Sequence, residues 1–193
     1  AAETHASLIE GMIGRSLDRA FPPKVRPSAD APEVLRVEGL TRTGVFADIS
    51  FSLRAGEIVV LAGLVGSGRT EVVRAIFGAD PVSRGTVSVK GRPARFGSPG
   101  EAIDSGIAMI PESRKEQGLM LGRSARENVS LPHLRRFSRA GIVATRPERA
   151  KVDEMMDTVG VRGIGPEARV RSASGGNQQK VLFARWLLAD PPV

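Results

Sequence analysis

The sequence predicts an α/β fold built around a largely parallel sheet. Three features carry that expectation. From Val34 onward, short strand-like segments alternate with segments of helical periodicity, the order that gives a sheet with helices packed on its faces. Ile58-Val59-Val60-Leu61-Ala62 is a continuous apolar run, as in parallel strands covered on both sides. The glycine-rich octet from Gly63 to Thr70 then joins that run to an amphipathic segment.

Residues 1–32 begin with a short helical pattern, Leu8, Ile9, Met12 and Ile13, and continue through Phe21-Pro22-Pro23, Pro27 and Pro32. Proline at that spacing reads as a linker between domains. Leu35 to Val37 and Ile49-Phe51-Leu53 alternate apolar with polar, as half-buried strands do. Thr70 opens a helix with Val72, Val73, Ile76 and Phe77 inward and Gly78 as its stop. Thr86 to Lys90 reads as a strand. Ser98-Pro99-Gly100-Glu101 is a capping box with proline at the first helical position, leading to a strand from Ile107 to Ile110. Ser124-Ala125-Arg126-Glu127 is a second capping box, and Val152, Met155, Met156 and Val159 share a helical face before Gly160. The last helix is expected from about Gln178 to Ala189, and no solenoid repeat is visible.

Composition narrows the function classes. At 193 residues, 41% hydrophobic and 25% charged, the chain is long and apolar enough to bury a core. It has no cysteine, which removes disulfides, zinc-thiolate sites and thiol nucleophiles and is compatible with a reducing compartment. Its longest apolar stretch, Ile58 to Val65, falls far short of the roughly 18 residues of a membrane span. The opening Ala1-Ala2-Glu3-Thr4-His5 lacks both methionine and the pattern of a signal peptide, so it reads as a start inside a longer protein. The net charge is +7, and 23 of the 28 basic residues are arginine. They are dispersed, tyrosine is absent and aromatics make up 4%, which argues against a base-stacking surface. No nucleic-acid partner is expected; a solvated arginine-rich surface is the default reading.

The octet Gly63-Leu64-Val65-Gly66-Ser67-Gly68-Arg69-Thr70 has the spacing of the phosphate-cradling loop G-x-x-x-x-G-K-S/T, with arginine at the lysine position. Between a buried strand and a helix, the turn amides and the helix N-terminus converge on one point, and the helix dipole adds about half a positive charge there. Gly63, Gly66 and Gly68 let the backbone wrap a phosphate, and the Thr70 hydroxyl is placed for Mg²⁺. A plain glycine turn is the duller account. Arg69 is a forked, planar cation where lysine is a compact one, so the loop is expected to hold a nucleotide but to support phosphoryl transfer poorly. Ser174-Gly175-Gly176-Asn177-Gln178-Gln179-Lys180 supplies a second glycine-lined helix start, which alone could equally be a simple cap.

Together the two motifs resemble the ABC transporter ATPases, whose signature reads L-S-G-G-Q. The S-G-G-N-Q-Q-K form resembles the second nucleotide-binding domain of the monosaccharide (ribose, galactose, xylose) importers of that family. Gly68-Arg69-Thr70-Glu71 resembles this half's version of the loop. Glu112, Arg114, Lys115, Gly118 and Leu119 match its E-x-R-K-x-x-G-L stretch, followed by Glu127-Asn128, Ser130-Leu131 and Arg136-Phe137-Ser138-Arg139. Met12-Ile13-Gly14-Arg15 and Phe21-Pro22 resemble the connection from the first ATPase domain.

The resemblance implies a P-loop NTPase of the ABC ATPase type: a mostly parallel core sheet, an antiparallel β subdomain and a helical subdomain at about 122–171, within a nucleotide-binding domain spanning 33–193. It implies ATP and Mg²⁺ as cofactors. The first ATPase domain of the same polypeptide, transmembrane permease subunits and, indirectly, a periplasmic sugar-binding protein are the implied partners, at the cytoplasmic face of the bacterial plasma membrane. The residues it implicates in nucleotide binding are Gly63 to Glu71, Glu112, and Ser174 to Gln178, with Thr70 toward the metal. Paired head to tail, the loop here would form one site while Ser174, Gly175 and Gly176 would serve the nucleotide held by the first domain, leaving this half the weaker one.

Three positions depart from the family pattern. Glu112 stands where most members carry glutamine, Ala173 replaces the signature's leading leucine, and Phe46 is the sole candidate platform for adenine. Ala189 to Val193 leads toward the strand that in the family carries the Mg²⁺-binding aspartate and the catalytic glutamate, so an incomplete C-terminal sheet is expected. His5 and His133 do not match the switch histidine. A non-hydrolytic regulatory module and a different P-loop enzyme are the alternatives; a GTPase would need an N-K-x-D motif, and none occurs.

Overall fold

Alternating side chains give a sheet its buried face, and here the period-two pattern is realised in an antiparallel arrangement. A computed structural model describes residues 27, 28, 30–191 and 193. Strands β1 (Glu33–Arg42) and β2 (Phe46–Arg54) form a hairpin, and β3 (Arg84–Val89) and β4 (Arg92–Ala94) complete a four-stranded sheet in the order β2-β1-β3-β4. Every pairing is antiparallel, with Leu35 opposite Leu53 and Val89, and Val37 opposite Phe51 and Val87. Gly85 is required where β3 crosses β1: at φ 98° it is left-handed, and a Cβ would stand 2.5 Å from the Leu40 Cα.

Helix α1 (Arg69–Ile76) lays Val72, Ala75 and Ile76 against that apolar face, with Phe77 just beyond. Val73, expected inward, is 41% exposed on the opposite flank. Asp80 accepts from both Arg74 of α1 and Arg42 of β1 at 2.8–3.0 Å. The hydrogen bonds and charge of Arg74 hold the Asp80 carboxyl below its ordinary range.

Helix α2 (Pro99–Asp104) begins as the proline predicts, but the Ser98 hydroxyl makes no capping bond. The expected box does not form; the Glu101 carboxylate instead accepts from the Gly97 amide, one residue before the cap, at 2.8 Å. The second box is complete at α3 (Ala125–Ser130), where Ser124 and Glu127 satisfy each other's amides. A short α4 (Leu134–Phe137), the two-stranded β5 (Ser138–Arg139) and β6 (Ile142–Val143), and α5 (Thr145–Thr158) follow. The last helix, α6, spans Gly175–Leu187 and so begins three residues earlier than expected. Its Val181, Leu182 and Ala184 join Val129, Val152 and Met156 in a second core. Trp186 lies in the first core, edge-on to Phe77 at 6.2 Å, so α6 spans both.

The parallel strands expected at Ile58–Ala62 and Ile107–Ile110 carry no ladder; both segments are irregular chain. The apolar run has the composition of a buried strand, yet Ile58 and Val60 are 89% and 78% exposed. Composition supplies a tendency, whereas a strand exists only through hydrogen-bonded neighbours. Here the Ala108 amide finds the Val193 carbonyl at 2.9 Å. Expectations for residues 1–26 lie outside the described residues.

Candidate nucleotide site

The first glycine loop folds as a bare helix start. Gly66 and Gly68 adopt φ of 82° and 88°, and Gly68 caps α1 in the left-handed region without help from any side chain. Gly68 is backed by the β1–β2 turn, where the Val45 carbonyl oxygen would lie 3.2 Å from a Cβ. The Ser67 hydroxyl folds over Gly63, close enough to fill the space of a side chain there. From Gly63 to Ser67 the loop is exposed, as are Arg69 and Thr70. Glu71, half-buried in the first turn of α1, places a carboxylate where the helix dipole favours one.

A cavity of about 730 Å³ opens beside this loop, lined by Arg69, Thr70, Glu112, Ile58, Ile110 and Val193 among others. The structure therefore brings Glu112, distant in sequence, to the same space as Arg69 and Thr70. Glu57 and Arg74 line the cavity as well, Arg74 being paired with Asp80. The helix N-terminus with Arg69, Thr70 and Glu112 suits a polyphosphate with a divalent cation between phosphate and carboxylate. Phe46 is 9% exposed and packed in the sheet core, so its ring is not offered as a platform. Val45, which sequence reasoning passed over, is the exposed apolar side chain of that turn, next to exposed Thr43 and Gly44.

The second glycine motif folds differently. Ser174 caps α6, its hydroxyl accepting from the Asn177 amide at 3.4 Å. The Asn177 side chain grips the Arg162 backbone at both ends, accepting from its amide at 3.2 Å and donating to its carbonyl at 2.6 Å. Buried Gln178 donates to the carbonyls of Val170 and Ala173 and accepts from Arg114. Ser174, Gly175 and Gly176 stay exposed, and none of the five lines the cavity beside the first loop. Ala173 is 8% exposed, packed where the family signature has leucine. The contact of Arg114 with this motif had no signal in the sequence beyond its place in E-x-R-K.

The model of the ABC transporter family matches residues 46–193. This chain belongs to the ABC transporter family. It is 48% identical to the ribose import ATP-binding protein RbsA 2 of Streptomyces coelicolor, over all of this chain and 37% of that protein. It is 44% identical to the ribose import ATP-binding protein RbsA of Geobacillus kaustophilus, over 96% of this chain and 37% of that one. A putative ribose/galactose/methyl galactoside import ATP-binding protein of Rhizobium etli is also 44% identical, with 96% and 35% covered. The chain thus spans a little over a third of the length of these relatives. Among solved structures, a nucleotide-free ATP-binding cassette of an ABC transporter superposes with a TM-score of 0.67 at 19% identity, covering 82% of this chain and 66% of that one. A dimeric post-hydrolysis cassette bound to ADP and Pi gives 0.62 at 21% identity, covering 81% and 70%. The fold is that of the ABC ATPase cassettes.

Proposed function

We propose that this chain is the ATP-binding portion of a monosaccharide ABC importer, corresponding to the second nucleotide-binding domain of a polypeptide that carries two. The observation that carries the reading is the separation of the two surfaces. Arg69, Thr70 and Glu112 face one cavity, while Ser174, Gly175 and Gly176 are exposed away from it. A domain built this way offers one surface to its own nucleotide and another to a partner's.

At the first surface, the α1 amides and Arg69 would hold the β- and γ-phosphates. Thr70 and Glu112 are the oxygen-bearing side chains suited to Mg²⁺, which when bound neutralises charge on the phosphates. Arg69 makes this the weaker site, and Ser174 to Gly176 serve the loop of the first ATPase domain. Closure and reopening of the pair would drive transmembrane permease subunits at the cytoplasmic face of the plasma membrane, with sugar delivered by a periplasmic binding protein. Identity to ribose import proteins supports the monosaccharide class.

Steady-state ATP turnover of the full-length protein tests this reading. Ser174→Arg, which fills the surface offered to the partner, is expected to lower turnover about a hundredfold or more, the scale of removing preorganised donors from a developing oxyanion. Arg69→Lys is expected to leave turnover unchanged or raise it; a large loss would show that Arg69 serves hydrolysis. Nucleotide binding without turnover in the parent protein would instead favour a regulatory module, the reading that Arg69 and Glu112 keep in view.

A further inference from the structure

Helix N-termini attract anions and repel cations, yet α6 has a guanidinium at its first residue. Arg114 Nη2 lies 2.8 Å from the point where a Cβ on Gly175 would stand, and its Nε donates to Gln178 Oε1 at 3.4 Å. Among the described residues no carboxylate pairs with it. Its segment is firmly seated: Ser113 caps the turn Arg114–Gly118, and Gly118 packs against Leu182 of α6. The protein therefore holds a half-buried cation, without a counter-charge, against the positive end of a helix whose neighbouring Ser174 and Gly176 are exposed.

We propose that Arg114 is a phosphate ligand of the α6 N-terminus. The guanidinium fork and the helix end repel each other until an anion lies between them, and the terminal phosphate of the paired domain's ATP is that anion. Gly175 is glycine because any side chain would displace Arg114. A planar fork suits two phosphate oxygens better than a lysine point charge does. The inference rests on the reading of Ser174 to Gly176 as a surface presented to a partner's nucleotide.

The test uses the full-length protein and measures kcat and KM for MgATP together with melting temperature. Arg114→Gln keeps a neutral donor for Gln178 but removes the charge; it is expected to lower kcat/KM about tenfold or more, as losing a hydrogen bond to a charged group does. Arg114→Lys is expected to recover part of that loss. Gly175→Ala should match Arg114→Gln, and the double variant should be no worse than either single one, because both remove the same contact. Wild-type turnover in Arg114→Gln overturns the proposal. So does a loss in every Arg114 variant, lysine included, that tracks a fall in melting temperature, since that marks a structural link alone. Ser174→Arg separates the two levels: if it abolishes turnover while Arg114→Gln does not, only this inference fails. If Ser174→Arg has no effect either, the reading of the signature surface fails with it.

Discussion

The two glycine-lined helix starts solve one problem in opposite ways. Each leaves several backbone amides without intrahelical acceptors. At α1 the chain supplies nothing: Gly68 caps without a side chain, and the loop before it is exposed, with Val65 at 99%. At α6 the chain supplies much: Ser174 caps the helix, Asn177 clamps the Arg162 backbone, and buried Gln178 ties two carbonyls and Arg114. An open helix start waits for a ligand to complete it. The α6 start has its inner side chains, Asn177 and Gln178, committed to its own chain and leaves only Ser174, Gly175 and Gly176 exposed. The sequence motifs look alike; their side-chain commitments do not.

That contrast is sharpest in stability. Gln178→Leu keeps the buried volume but removes the side-chain donor from the Ala173 and Val170 carbonyls, of which Val170 keeps the Ala173 amide at 3.0 Å, at a cost of about 2 kcal/mol. The melting temperature should fall by roughly 4–8 °C for a domain of this size. Ser67→Ala, at the open start, is expected to change stability by less than about 0.5 kcal/mol, as exposed substitutions do. Thermal unfolding of the two variants side by side measures the difference, and equal losses would erase the distinction.

A smaller contrast separates the glycines. Gly68 sits at φ 88° with the Val45 carbonyl close by, so Gly68→Ala should destabilise by about 1–2 kcal/mol, the penalty of a left-handed residue with a Cβ. In Gly175→Ala the new methyl meets only the flexible end of Arg114, and alanine suits a helix better, so stability should hold within about 0.5 kcal/mol. Ser174→Ala falls between them at about 1 kcal/mol, the worth of a cap. Denaturant midpoints would rank the three.

Local signals made much of this legible. The alternation around Leu35 and Phe51, the Ser124–Glu127 box and the apolar face ending at Gly160 all depend on residues a few positions apart, and each formed. So did the glycine loop between apolar run and helix. What stayed hidden depends on partners far along the chain. The run Ile58–Ala62 has the composition of a buried strand, but a ladder requires neighbours that composition cannot name. Val45 backing Gly68 is set by where the β1–β2 turn lands, and Arg114 meeting Gly175 by the seating of Gly118 on Leu182. The amides of Asn177 and Gln178 read as ligand groups in the motif, and only the fold shows them occupied by Arg162, Val170 and Ala173.

The far end of α6 extends the comparison to pH, with the smallest expected effect. His133 Nε2 lies 3.2 Å from the Arg185 carbonyl, with its ring edge-on to Trp186 at 6.1 Å. Arg136 and Arg185 face it; the former caps the Leu188 carbonyl at 2.6 Å, and burial brings the latter down to about 10, still charged at neutral pH. Burial is the main cause holding the imidazole below its ordinary 6.5; both cations add to it, and the bond to the Arg185 carbonyl opposes. The folded state therefore favours neutral His133. Its contribution is complete above about pH 6.5 and declines as pH falls below that value, where the unfolded chain takes up the proton first. Melting temperature measured from pH 8 to 5 should drop on the acid side, and His133→Gln should flatten part of that slope. Gly68→Ala should shift the whole curve down without changing its shape, because Gly68 caps α1 with backbone alone; a change of shape would mean that the loop and the far end of α6 are coupled.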